Sequence, residues 1–321
     1  MKQHRLLFLF ISFSACALTL TPAHADAKGT SGGRLLIDAP SARAAALGEA
    51  FTAATDDVSG GAYNPASLAS LTDSQASMLY QKGIVDDTSA HFLFGRPSAR
   101  GGWGLSAAYY NAGTINLIDD LGQQRSVNAQ TDMALAATFA RNFGSARAGM
   151  SLKYISSTIV ETDKATAYAA DFGGQIPLSE RITAGAALQN IGTKLTYVDG
   201  GDDLARLARA GLAMKLGTRV PVGLFLDAID DLTQKTFQGA AGVEVGVGPL
   251  ALRAGYRSGL DLEALTLGAG FHLGKLALDY SFGMVDTLDN RHRVSITYRW
   301  GAAETSPTAA ATIPMLAEAK R

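Results

Sequence analysis

Three residues near the C-terminal end, Asp286, Asp289 and His292, carry the groups that acid/base chemistry uses. Carboxylates can hold or take a proton, and an imidazole titrates near neutrality. Placed together at the mouth of a barrel they would suit a hydrolase, yet a stretch rich in Asp and Asn is also what a solvated loop contains. Beyond residue 25 the other histidines, His91 and His272, stand alone, with no His-Glu-x-x-His pattern and no His/Cys cluster to hold a metal. There is no Gly-x-Ser-x-Gly elbow. Gly268-Ala269-Gly270 lacks the third glycine of a nucleotide loop and falls within a strand pattern. No catalytic, cofactor or metal site is expected, and the chain reads as a non-enzyme.

A second set of charges suggests structure instead. Asp56 and Asp57 could form ion pairs with Arg253, Arg257, Arg293 or Arg299, far along the chain. Such pairs require elements that put the four arginines on one enclosed face.

Those elements are strands. From residue 74 to 300, runs of about ten residues alternate large apolar with small or polar side chains, which puts one type on each face of a strand. Val294, Ile296, Tyr298 and Trp300 share one face and Arg293, Ser295, Thr297 and Arg299 the other. Leu276, Leu278, Tyr280 and Phe282 oppose Ala277, Asp279, Ser281 and Gly283, and Leu250, Leu252, Ala254 and Tyr256 oppose Arg253, Gly255 and Arg257. The pattern occurs fourteen times, near 74–82, 88–96, 102–111, 131–142, 146–157, 166–177, 181–190, 206–217, 219–229, 236–247, 249–257, 262–273, 275–285 and 291–300. Every second connection is brief, and those between are mostly longer and more polar, notably 111–131 and 190–206. Short turns on one side, long loops on the other and an even strand count describe an all-β fold: a 14-stranded antiparallel transmembrane β-barrel with both ends periplasmic. A pair of secreted β-sandwiches is disfavoured, because a closed sheet avoids edges and the ladder shows no proline-guarded or lysine-guarded edge strand. Tyr80, Trp103, Tyr109, Tyr154, Tyr256, Tyr298 and Trp300 would form interfacial girdles or pack across strands.

The N-terminus fits export. Lys2 and Arg5 precede the apolar stretch Leu6 to Leu20, and Ala23-His24-Ala25 supplies a small-x-small cleavage site, so residues 1–25 read as a signal peptide. Cys16 offers a rival reading as a lipid acceptor, but Phe13 stands where Leu is usual. Without Cys16 no disulfide can form. Taking Lys2 and Arg5 from the 28 basic residues leaves 26 against 29 acidic ones, so nothing in the charge favours nucleic acid.

Between the signal and the ladder, residues 26–73 break the alternation. Ser41 can cap a short helix over Ala42 to Ala54, with Leu47 and Phe51 on one side. Asn64-Pro65 then ends whatever precedes it. This segment is placed to enter the lumen from the periplasmic end as a plug. Residues 301–321, rich in Ala, Thr and Pro, read as a disordered periplasmic tail.

The stretch from Ser41 through Ala42-Arg43-Ala44, Leu47-Gly48, Ala50-Phe51 and Asp56-Asp57 to Asn64-Pro65-Ala66 resembles the N-terminal signature of PorV/PorQ-type outer-membrane proteins. These are related to the FadL-type channels, so the resemblance implies a fourteen-stranded barrel with an N-terminal plug. Ser67 replaces the usual Gly, and Gly60-Gly61-Ala62 replaces bulkier residues. Leu188-Gln189-Asn190-Ile191-Gly192 also resembles a recurrent turn of the family.

Two functions follow from the resemblance. One is a channel for small hydrophobic compounds, with an apolar lumen pocket near the plug and a lateral gap between strands. The other is a scaffold in a type IX-like protein secretion pathway, with a plugged lumen that lacks a pocket. The implied partners are outer-membrane lipid, the barrel assembly machinery, and either a hydrophobic small molecule or secretion-machinery proteins.

Overall fold

The computed structural model describes residues 32–83, 87–118, 122–197, 200–217, 220–259, 264–284 and 290–302. The expected signal peptide with Cys16, the loop residues Asp286 and Asp289, and residues 303–321 of the tail lie outside the described residues.

Among the described residues, fourteen antiparallel strands close on themselves. They are β1 (Asp73–Lys82), β2 (Thr88–Ser98), β3 (Gly101–Asn111), β4 (Gln130–Phe143), β5 (Ala146–Ile159), β6 (Asp163–Pro177) and β7 (Ile182–Gly192). The circuit continues through β8 (Leu207–Leu216), β9 (Val222–Asp231), β10 (Thr236–Val247), β11 (Leu250–Ser258), β12 (Leu265–Leu273), β13 (Leu276–Gly283) and β14 (Arg291–Ala302). Each strand pairs with its sequence neighbours, and β14 returns to β1 with Ile296 opposite Met78. Strand ends fall within three residues of those read from the alternation. The ninth strand starts at Val222 rather than at 219, following Pro221, which has no N–H to give to a ladder.

The barrel is greasy outside and polar inside. Leu105 (51% exposed), Leu152 (54%) and Leu252 (55%) face outward with Met78, Tyr80, Tyr168 and Ile296. Gln75, Asp171, Gln175, Arg209, Asp227, Arg253, Asp279 and Arg293 are buried on the inner face. Water would not solvate such an exterior, whereas lipid does, and a closed ladder leaves no backbone group unpaired in it. Purified protein is therefore expected to migrate faster on a gel before boiling than after, and equal mobility would argue against a closed barrel.

Both barrel termini lie at the end with the tight turns. Gly144 and Gly274, with φ of 63° and 59°, make two of these two-residue hairpins. At the other end two loops carry hairpins of their own, Thr114–Ile118 with Gln124–Asn128 and Leu195–Thr196 with Gly201–Asp202. Not every connection there is long, since only 160–162 separate β5 from β6. Leu188–Gly192 is not a turn. It forms the end of β7, where the register to β6 shifts next to Ala170, and Asn190 takes φ 60° as a bulge. Asp171 satisfies the Asn190 amide there at 2.7 Å, and Asn190 Nδ2 donates to the Ala205 carbonyl at 2.8 Å.

The segment ahead of β1 runs through the lumen. At the loop end the Gly32 amide donates to the Asp203 carbonyl (3.1 Å), and Leu36 packs on Ile155, Ala165, Leu195 and Leu204. At the tight-turn end Leu68 and Leu71 pack on Val58 and Leu93. The α-helix between them, α1, covers only Ala42–Ala46, with the Ser41 hydroxyl accepting from the Ala44 amide. The expected extension to Ala54 does not form. Gly48 and Glu49 turn left-handed (φ 64° and 60°), and the Phe51 and Thr52 amides bond to the barrel wall instead of to a helical turn.

Candidate functional site

Polar side chains of the inner wall, and Asn64 of the plug, tie the two together. Asp227 Oδ2 accepts from the amides of Phe51 (3.1 Å) and Thr52 (3.0 Å) and from the Thr52 hydroxyl (2.6 Å). Gln175 Nε2 donates to the carbonyls of Thr52 and Ala54. Asn64 Nδ2 donates to Thr52 O and to the wall carbonyls of Gly174 and Ala186, while its Oδ1 accepts from the Ala66 amide. That last bond caps a short 3-10 turn with Pro65 in its first position. Leu47 and Phe51 lie in one buried cluster with Phe225 and Ile229, so the expected pair does form a face, though not a helical one.

Close approach also needs small wall residues. A Cβ on Gly242 would lie 2.5 Å from the Leu47 carbonyl oxygen, and one on Gly149 2.5 Å from the Pro65 carbonyl carbon. Gly255 meets Gly48, and Gly268 meets Ala46. The abundant glycine of the inner face is thus a seat for the plug backbone.

The ion pairs differ from the expected set. Asp56 does approach Arg299, at 3.6 Å. Asp57 pairs with Arg43 of the plug itself (2.7 Å) and accepts from the Ser59 amide. Burial opposes the charge on Asp57, but Arg43 and Ser59 hold its carboxyl below the usual carboxylate range. Arg253 pairs within the wall with Glu244 (2.6 Å) and Asp279 (2.7 Å), and Arg293 donates to Gln81. Arg257 reaches the plug, but through Glu49 (2.6 Å). The physical reason is geometric: Asp56 and Asp57 sit near the start of β1, and only Arg299 lies at that height of the neighbouring β14. A further tie to the wall has no local sequence signal: Arg43 forms a two-pronged contact with Glu244 at 2.7 and 2.9 Å. The Arg of Ala42-Arg43-Ala44 and the inward position of Glu244 are each legible, but nothing in sequence joins them.

A cavity of about 180 Å³ lies between the plug and the wall. Leu35, Leu36, Ile37, Val58, Leu68 and Leu93 make an apolar side, and Asp38, Glu49, Tyr63, His91, Arg209 and Arg257 a polar one. Leu195, Leu204 and Ala205 of the β7–β8 loop are buried at the loop end, against Leu36 and the wall alanines Ala165, Ala167 and Ala169. Burial pushes the Asp38 carboxyl above its ordinary range, opposed by the fields of Arg34, Arg291 and Arg293. The expected lateral gap is not found among the described residues. Around this cavity β3 and β4 pair without interruption from Gly101 to Asn111. The wall there is thin, however, built from Ser106, Ala107, Ala108, Ala134 and Ala136. His292 faces outward, within 2.7 Å of the Tyr280 hydroxyl.

The N-terminal part of the chain, residues 14–155, matches the family described as Uncharacterised protein family (UPF0164). No curated protein matches the chain. Among solved structures, the Ralstonia pickettii toluene transporter TbuX superposes with a TM-score of 0.59 at 12% identity, over 84% of this chain and 100% of that one. The Pseudomonas putida toluene transporter TodX gives 0.56 at 11%, covering 81% and 97%. The CymD monoaromatic hydrocarbon channel gives 0.56 at 12%, covering 83% and 98%. At such identities the likeness is one of fold alone.

Proposed function

We propose that this chain is an outer-membrane channel that takes up small hydrophobic compounds of about one ring, with its tight turns and barrel termini in the periplasm. The cavity between plug and wall carries this reading. An apolar cavity of about 150 Å³ is enough to hold benzene, and this one, at about 180 Å³, has the size of a ring rather than of a long acyl chain. Pockets that combine an apolar side with a few polar groups are the usual form of a small-molecule site. The fold shared with toluene transporters and a monoaromatic hydrocarbon channel supports the same class of cargo. A secretion scaffold would call for a plugged lumen without a pocket, and the cavity therefore favours the channel.

Reconstituted protein is expected to carry toluene into vesicles. Ala108→Trp places an indole in the cavity and should remove most of that uptake while leaving the heat-dependent gel shift intact. Wild-type protein with neither uptake nor planar-bilayer conductance would sink the channel reading.

A further inference from the structure

The apolar side of the cavity accounts for a ring but not for the unpaired polar atoms on the other side. His91 is only 5% exposed and occupies the inner face of β2 beside Leu93, with no hydrogen-bond partner for its Nε2. Asp38 Oδ2, on the plug side of the same cavity, is buried and equally without a partner. A buried polar atom left unpaired is costly, so a site with several of them, Arg209 Nε and Nη1 included, disfavours a cargo that is hydrocarbon throughout.

The charges argue against an anion. Three cations line the cavity among the described residues, and each already faces a carboxylate. Lys153 pairs with Asp171 at 2.7 Å, Arg257 with Glu49 at 2.6 Å, and Arg209 lies 3.6 Å from Asp227 with its guanidinium 4.8 Å from the Tyr63 ring centre. Against these three the lining sets four carboxylates, Asp38, Glu49, Asp171 and Asp231, so a ligand carboxylate would add to a surplus of negative charge. A neutral hydroxyl fits, since it can donate to a carboxylate oxygen and exchange a hydrogen bond with a neutral imidazole.

We propose that the cavity selects neutral ring compounds bearing a hydroxyl group, such as phenols, and that His91 Nε2 and Asp38 Oδ2 bind that hydroxyl. This rests on the channel reading above and names its preferred cargo. Sites built to bond a hydroxyl discriminate strongly against the analogue that lacks it, because their own polar atoms are then stranded.

Calorimetric titration of the full-length protein in detergent with phenol, toluene and benzoate tests it, phenol and toluene being close in size. His91→Leu is expected to weaken phenol binding about tenfold, the worth of one net hydrogen bond, while toluene binds unchanged or tighter. Asp38→Asn should weaken phenol by a few-fold and improve benzoate. If His91→Leu loses the heat-dependent gel shift, Asp38→Asn decides alone. Variants that leave phenol unaffected, or that shift phenol and toluene equally, overturn the hydroxyl preference and leave the channel reading standing. Wild-type protein that binds none of the three overturns both.

Discussion

Asp227→Ala is expected to release the plug. The variant removes the one oxygen that accepts three hydrogen bonds from Phe51 and Thr52 and leaves Arg209, 4% exposed, without its carboxylate. Removing one partner of a buried pair typically costs about 3–5 kcal/mol, since the surviving charge stays desolvated. The loss falls on the plug rather than on the ladder, which keeps every strand pairing. Limited proteolysis should cut near residues 50–54 in the variant and not in the wild type, and planar bilayers should show a conductance larger than that of the wild type. Asp227→Asn retains an acceptor oxygen and the shape, so its effect should be smaller. Equal protease resistance of wild type and Asp227→Ala would refute the role assigned to this carboxylate.

Gly242→Val should unseat the same plug by crowding instead of by lost bonding. Its Cβ would stand 2.5 Å from the Leu47 carbonyl oxygen and 2.8 Å from the Leu47 Cβ, and the first of these is backbone that cannot rotate away. Overpacking of this kind costs about 1–3 kcal/mol, and Leu47 is fully buried. Gly174→Ala is the control, because a Cβ there meets nothing nearer than the Arg147 carbonyl oxygen at 3.7 Å. Denaturant titration in micelles should separate the two, with Gly242→Val less stable and Gly174→Ala near wild type. Similar midpoints for both would mean that the inner glycines have no seating role.

How far the chain could be read from its residues differed by element. The strand ladder was legible because its signal is local: Leu276 to Phe282 alternate within a few residues, and each contrast between lipid and lumen repeats at every second position. The start of α1 was legible for the same reason, since Ser41 caps an amide three residues on. Its end was not. The helix stops at Ala46, Gly48 and Glu49 turn left-handed, and the Phe51 and Thr52 amides beyond them bond to Asp227, some 175 positions away.

The plug's ion pairs show the same division. Arg43 finds Glu244 across 201 positions and Arg257 finds Glu49 across 208. Alternation puts Glu244 and Arg257 on the inner face, but the height of each residue on the barrel, set by the register of every pairing between them, chooses the partner. The bulge at Asn190 and the inward fold of the β7–β8 loop are equally matters of assembly. From its residues alone the chain is a two-faced fourteen-strand barrel preceded by a short non-strand segment, because those features rest on contrasts between neighbours. The cavity beside His91 and Asp38, and the wall groups that lock the plug below it, exist only once β1 meets β14, because closure alone brings residues of distant strands and the plug around one space.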